Sequence, residues 1–285
     1  MFDKEILKKV LVSYKKDFAK RQWPEEKYKW EAVKNFQDNW DVNAPDFAGM
    51  LTRSLSKTWN LLASANNFPG KMMQEFAEAA PEEVRAMFLE LFDESTEVYE
   101  RMERFKIRSE ELREQYKKDA AQHYQNENPI STYLWLRYPD AYYIYKFTEI
   151  KAVAKELKSD CTFKRGAYAE NIRNFLELYN GICGELQSDH ELANLLKAQI
   201  TESCYPDPEL RTLTIDVGFY ISRVYAEQKN PPEEGWWPKD YSPELSAAQW
   251  LTLLQDSEVF RASNLEIVKR IKDYGGQGVI VKSGV

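Results

Sequence analysis

Between Val84 and Tyr116 the large apolar residues fall on alternating steps of four and three: Val84, Phe88, Leu91, Val98, Met102, Phe105, Leu112 and Tyr116, with Ser95 and Ser109 filling the gaps. Such steps keep a stripe on one side of an α-helix, and a stripe this long has to be covered by another helix. The spacing predicts a long helix from Pro81 whose seam is buried in an intramolecular helical hairpin, with pairing to a second chain as the alternative. In either case the seam is packing and carries no chemistry.

The same periodicity marks the rest of the first 120 residues. Phe2, Ile6, Leu7, Val10, Leu11, Tyr14 and Phe18 define an amphipathic helix. Pro24 suits the first turn of another, followed by Tyr28, Trp30, Val33, Phe36 and Trp40. Pro45 opens a third, in which Phe47, Met50, Leu51, Leu55, Trp59 and Leu62 share a face up to the turn at Asn66, Asn67, Phe68, Pro69 and Gly70. Around residues 117–128 the periodicity fails, which predicts a boundary: a helical bundle over 1–122, an α-rich aromatic lobe over 123–274, and a tail at 275–285 that stops like a truncated reading frame.

In the second lobe a strand is expected around 142–147, then helices from Glu149 to Leu157, from Tyr168 to Leu186, and from a cap at Asp189 to Ile200. Capping boxes at Ser246 and Ser263 predict two more helices beyond a loop at 229–235 that leads into Trp236, Trp237 and Pro238. The fold class is therefore mainly α, a helical bundle with a long hairpin followed by an α-rich segment with at most a small sheet.

Composition narrows the function. A formal charge of −7 argues against indiscriminate nucleic-acid binding, which is driven by counterion release from phosphates. The charge is uneven, however: ten basic residues fall within the first 34 positions, from Lys4 to Lys34, so a local basic face and a simple solvated helix surface both remain open. Cys161, Cys183 and Cys204 have no disulfide or metal-ligand spacing, and no membrane span or secretory signal is present, which places the chain in the cytoplasm by default. Gly70-Lys71 lacks the rest of a phosphate loop, and neither His123 nor His190 sits in a metal or relay motif, so no cofactor or metal is expected. Pro139-Asp140 followed by Glu149-Ile150-Lys151 spells a metal-dependent nuclease signature, but Glu149 onward has the composition of a helix rather than the strand that chemistry needs. The chain alone is expected to be no enzyme.

The run from Tyr133 to Lys146 holds six aromatic and three aliphatic residues in fourteen, which is either a core wall or a surface for stacking a base or a partner. Segments 26–40 (EKYKWEAVKNFQDNW), 58–64 (TWNLLAS), 132–139 (TYLWLRYP) and 204–210 (CYPDPEL) resemble the amino-terminal region of AAA-family ATPases of the McrB-like kind, the motor and specificity subunit of McrBC-type restriction systems, and the resemblance extends to KDYGGQ at 272–277. It implies a recognition module for DNA, often modified DNA, in a phage-defence system, with a nuclease subunit reached through a motor absent from this chain, and no membrane partner. The DNA-binding candidates are Lys27, Lys29, Trp30, Trp135, Arg137, Tyr142, Tyr143, Tyr145 and Lys146, together with Lys164 and Arg165 of a basic loop. Core packing is the competing role for each ring. The alternative function is a protein-interaction scaffold or sensor in a defence complex. A cationic patch with an exposed ring favours DNA, and a broad apolar patch favours a protein.

Overall fold

The computed structural model describes residues 1–64 and 67–226; the expected capping boxes at Ser246 and Ser263, the loop at 229–238 and the tail from 275 lie outside the described residues. Helix α1 (Lys4–Asp17) starts where Asp3 Oδ1 accepts the amides of Glu5 and Ile6 at 3.0 and 3.1 Å, and it buries Leu7, Val10, Leu11 and Tyr14. It runs on through a π turn (Phe18–Gln22) into α2 (Trp23–Glu26) and α3 (Tyr28–Asn39). The widening sits where Pro24 removes the amide that would have bonded to Lys20.

Two expected long helices are broken, each by polar side chains that bond to the backbone. The helix from Pro45 divides into α4 (Phe47–Ser54), capped by Asp46, and the single turn α5 (Trp59–Leu62). Ser56 Oγ and Thr58 Oγ1 donate to the carbonyls of Arg53 and Leu55 at 2.8 Å, offering the chain a turn in place of another helical bond. Trp59 consequently leaves the shared face and stands 70% exposed. After α6 (Pro69–Ala79), the expected helix from Pro81 becomes α7 (Pro81–Phe92) and α8 (Val98–Tyr116). Asp93 Oδ1 accepts the Ser95 amide, and the Glu97 carboxylate accepts those of Tyr99 and Glu100, closing one helix and capping the next. The apolar seam thus folds back on itself as a hairpin, with the Phe88 and Phe105 rings 5.3 Å apart.

The second half comprises α9 (Glu127–Arg137), α10 (Phe147–Glu156), α11 (Tyr168–Gln187), α12 (His190–Gln199) and α13 (Arg211–Tyr220), which ends in a second π turn (Ile221–Tyr225). Asp189 caps α12 as expected, accepting the Leu192 amide at 3.0 Å. The strand expected at 142–147 does not form, and among the described residues the only β contact is an isolated Ser64–Asn67 bridge. Side chains take up the backbone groups that a ladder would have used: Ser131 Oγ accepts the Tyr145 amide at 2.9 Å, and Asn128 Nδ2 donates to the Tyr145 carbonyl at 2.8 Å. The protein is mainly α.

The boundary expected near residue 122 falls in the coil between α8 and α9, inside one compact unit, Met1–Ala226, whose core is continuous from Leu7 to Ile221. Helix α9 is central to that core, buried from Pro129 through Leu136 and packed against α3, α5, α7 and α8. No described helix is long and apolar enough to cross a membrane.

Phe88 is the hub, with ring contacts to Trp40, Phe92, Phe105 and Tyr133 at 5.3 to 5.6 Å. Phe88→Ala is expected to cost ~3–5 kcal/mol in urea unfolding, against less than about 0.5 kcal/mol for Ile107→Ala on the exposed face of α8. Equal, small losses at both positions would contradict this packing.

Candidate nucleic-acid interface

Most of the candidate rings lie inside the molecule. Trp30, Trp135, Tyr143 and Tyr145 are buried, and Tyr142 is half-buried. Their polar tips find protein partners, as buried indole and phenol groups require. Trp30 Nε1 donates to Asp207 Oδ2 and Trp135 Nε1 to Thr212 Oγ1, each at 3.2 Å. The Tyr143 hydroxyl donates to Asn180 Oδ1 at 3.0 Å and accepts from Arg211, while that of Tyr142 lies between Arg101 and Glu94. The four buried rings pack the core and present no face to a base.

Lys29, also proposed from sequence as a DNA contact, is buried as well. Its Nζ lies 2.5 Å from Asp216 Oδ1 and 2.8 Å from Glu26 Oε2, and the Tyr14 hydroxyl donates to Asp216 Oδ2 at 2.5 Å. Burial is the largest single effect and disfavours the Lys29 ammonium, but Asp216, Tyr28 and Glu26 together outweigh it and hold the lysine pKa above its ordinary value. The Asp216 carboxyl is pushed up by burial against the pull of Lys29. This is a structural cluster: a cation spent on two internal carboxylates has no charge left for a phosphate.

The nuclease spelling is also dispersed. Glu149 and Lys151 lie on α10, not on a strand; the Asp140 carboxylate accepts the Tyr205 hydroxyl at 2.6 Å, and Lys151 is exposed, 5.9 Å from the Phe147 ring centre. Burial raises the Glu149 carboxyl. No group of three His, Cys, Asp or Glu among the described residues is arranged to hold a metal ion.

Five basic candidates remain at the surface. Lys27 is 3.7 Å from Glu31, Arg137 is half-buried over the Tyr138 ring at 4.8 Å, and Lys146 is exposed just before α10. Lys164 and Arg165 are exposed in the loop that leads into α11, and this loop is the most organised of the four settings. Asn171 pins it from the first turn of the helix, accepting the Lys164 amide at 3.0 Å and donating to the Lys164 carbonyl at 2.7 Å. Gly166 has φ 84°, a left-handed conformation that glycine adopts without a Cβ clash. The following Ala167 offers no side-chain cap, so the first amides of the twenty-residue α11 are bonded by no side chain among the described residues.

Tyr168, 42% exposed, opens α11, and Lys106 Nζ of α8 lies 4.8 Å from its ring centre. Lys106 also pairs with Glu103 and Glu127 at 3.3 and 3.2 Å. In the sequence Tyr168 reads only as the start of a helix, and Lys106 carries no signal of its own. The available signal is a Lys-Arg-Gly step followed one residue later by an aromatic at a helix opening. The basic face of α1 is of the ordinary kind, with Lys4, Lys8 and Lys15 engaged by Glu185, Glu5 and Asp189.

Removing Lys29 would strand Asp216 and Glu26 in the core, so Lys29→Met is expected to destabilise by ~3–5 kcal/mol in denaturant unfolding. Adding Asp216→Asn should recover a large part of that loss, because the orphaned charge goes with it. Additive losses in the double variant would contradict the pairing.

No family model, no curated protein and no solved structure matches this chain.

Proposed function

We propose that this chain is a non-catalytic recognition module that binds DNA, as the resemblance to McrB-like restriction ATPases implies, and that it meets its nuclease partner in the cytoplasm through a motor carried elsewhere. The observation that carries the reading is the pinned loop at the start of α11. There two exposed cations, Lys164 and Arg165, the uncapped amides of Tyr168, Ala169 and Glu170 and the exposed Tyr168 ring fall within seven consecutive positions.

Each part suits one component of a nucleic-acid strand. The positive end of a long helix attracts an anion, and its free amides can donate to phosphate oxygens. Lys164 and Arg165 add charge-assisted bonds, with arginine matching the phosphate geometry in two-pronged fashion. The Tyr168 ring supplies a surface for a sugar or a base. Glu170 in the first turn opposes the anion, so the site relies on its cations and the expected affinity is modest and salt-sensitive.

Titration of modified and unmodified duplexes at two salt concentrations tests this. Lys164→Ala with Arg165→Ala should weaken every duplex alike and reduce the slope of log K against log salt by about 2. Tyr168→Ala should cost ~1–3 kcal/mol of binding and narrow the difference between targets. If no DNA binds at low salt while a protein from the same defence locus does, the scaffold reading replaces this one.

A further inference from the structure

The chain carries 46 acidic residues, yet none falls in residues 47–74, where the charged residues are Arg53, Lys57 and Lys71. This stretch forms α4, α5 and the start of α6. Its outward positions at the α4–α5 turn are Thr52, Arg53, Ser56, Lys57, Trp59 and Asn60, all of them exposed and each cationic, hydrogen-bonding or aromatic. Arg53 and Lys57 form no ion pair among the described residues, unlike most cations of α8. We propose that this turn is a second ligand site, in which Trp59 stacks on an unpaired base of single-stranded nucleic acid while Arg53 and Lys57 engage the flanking phosphates.

Trp59 is the most exposed large ring of the described residues, although a tryptophan left in water forgoes more burial energy than any other side chain. It is not out because the segment is loose. Asn35 Nδ2 of α3 donates to the carbonyls of Arg53 and Ser54 at 3.0 and 2.9 Å. Thr58 bonds back to Leu55 through its side chain, and the Thr58 carbonyl accepts the amides of Leu61 and Leu62 at 2.9 and 2.8 Å. Leu62 is buried beneath, so the turn is anchored while the ring points away from the core. A ring held outward on a fixed turn loses little further freedom when it binds.

Charge and chemistry select the occupant. A protein partner is favoured by a broad apolar patch, whereas Trp59 is a single ring among hydroxyls, an amide and two cations. An open base offers a flat π face, and the strand that carries it offers phosphates within a residue's reach on either side. A duplex hides those faces in its own stack. The site rests on its own residues, so it stands or falls apart from the loop at α11.

The test is fluorescence anisotropy with the full chain and a labelled single-stranded thymidine oligomer at low salt, beside a blunt duplex of equal length. Trp59→Ala is expected to weaken single-strand binding about tenfold or more and to leave duplex binding unchanged. Trp59→Phe should restore most of it, and Arg53→Ala with Lys57→Ala should flatten its salt dependence. Because all three side chains are exposed, unaltered circular dichroism is expected for each variant. Unchanged single-strand binding in Trp59→Ala would overturn the proposal, as would loss of single-strand binding only on changing Lys164 and Arg165. So would absence of oligomer binding, whether or not anionic phospholipid vesicles bind in its place.

Discussion

Lys29 and Asp216 stand 187 positions apart in the chain and meet at 2.5 Å in its interior. Neither charge is tolerable there alone, so the α3 end of the molecule and α13 must close on each other for either residue to be buried. Tyr14 of α1 and Glu26 of α2 complete the shell, and the Tyr220 hydroxyl of α13 donates to Asp17 at 3.0 Å beside it. A purely apolar contact between these helices would tolerate a shift of one turn. A pair of opposite charges with a fixed set of donors does not. The cluster therefore sets the register between the first helices and the last described one.

That closure decides which part of the surface can bind an anionic ligand. Basic residues are plentiful, but Lys29 is consumed inside, and Lys15, Lys106, Arg113 and Lys117 are taken by neighbouring carboxylates. In an acidic chain, counting lysines therefore says little about binding. What matters is where exposed cations stand outside any ion pair and beside an exposed ring. Lys164 and Arg165 ahead of Tyr168 meet that condition, and so do Arg53 and Lys57 ahead of Trp59. Both settings join a tight turn to the start of a helix, a geometry that projects the ring outward while the backbone is tied down.

Much of the fold was legible because the apolar spacing is regular. The helix from Tyr168, the cap at Asp189 and the helical setting of Glu149 and Lys151 all follow from local pattern. The breaks at 55–58 and 93–97 were missed because the apolar steps continue across them; what interrupts the helix is Ser, Thr, Asp and Glu side chains bonding to nearby backbone. The aromatic run misled for a related reason. Composition tells how much ring there is, but Trp135 and Tyr143 are inside only because Thr212, Asn180 and Arg211, far along the chain, satisfy their polar tips. Tyr168 and Trp59 carried no such density, and an isolated ring at a turn is invisible to a search for clusters.

Hydrogen–deuterium exchange of the full chain with and without nucleic acid tests most directly whether binding follows unpaired cations rather than total charge. Slowed exchange is expected at residues 164–171 with duplex and at 52–62 with a single strand, with no change around Lys29 and Asp216. Protection of the acid-rich α7–α8 hairpin instead, or no protection anywhere under saturating nucleic acid, would contradict this expectation.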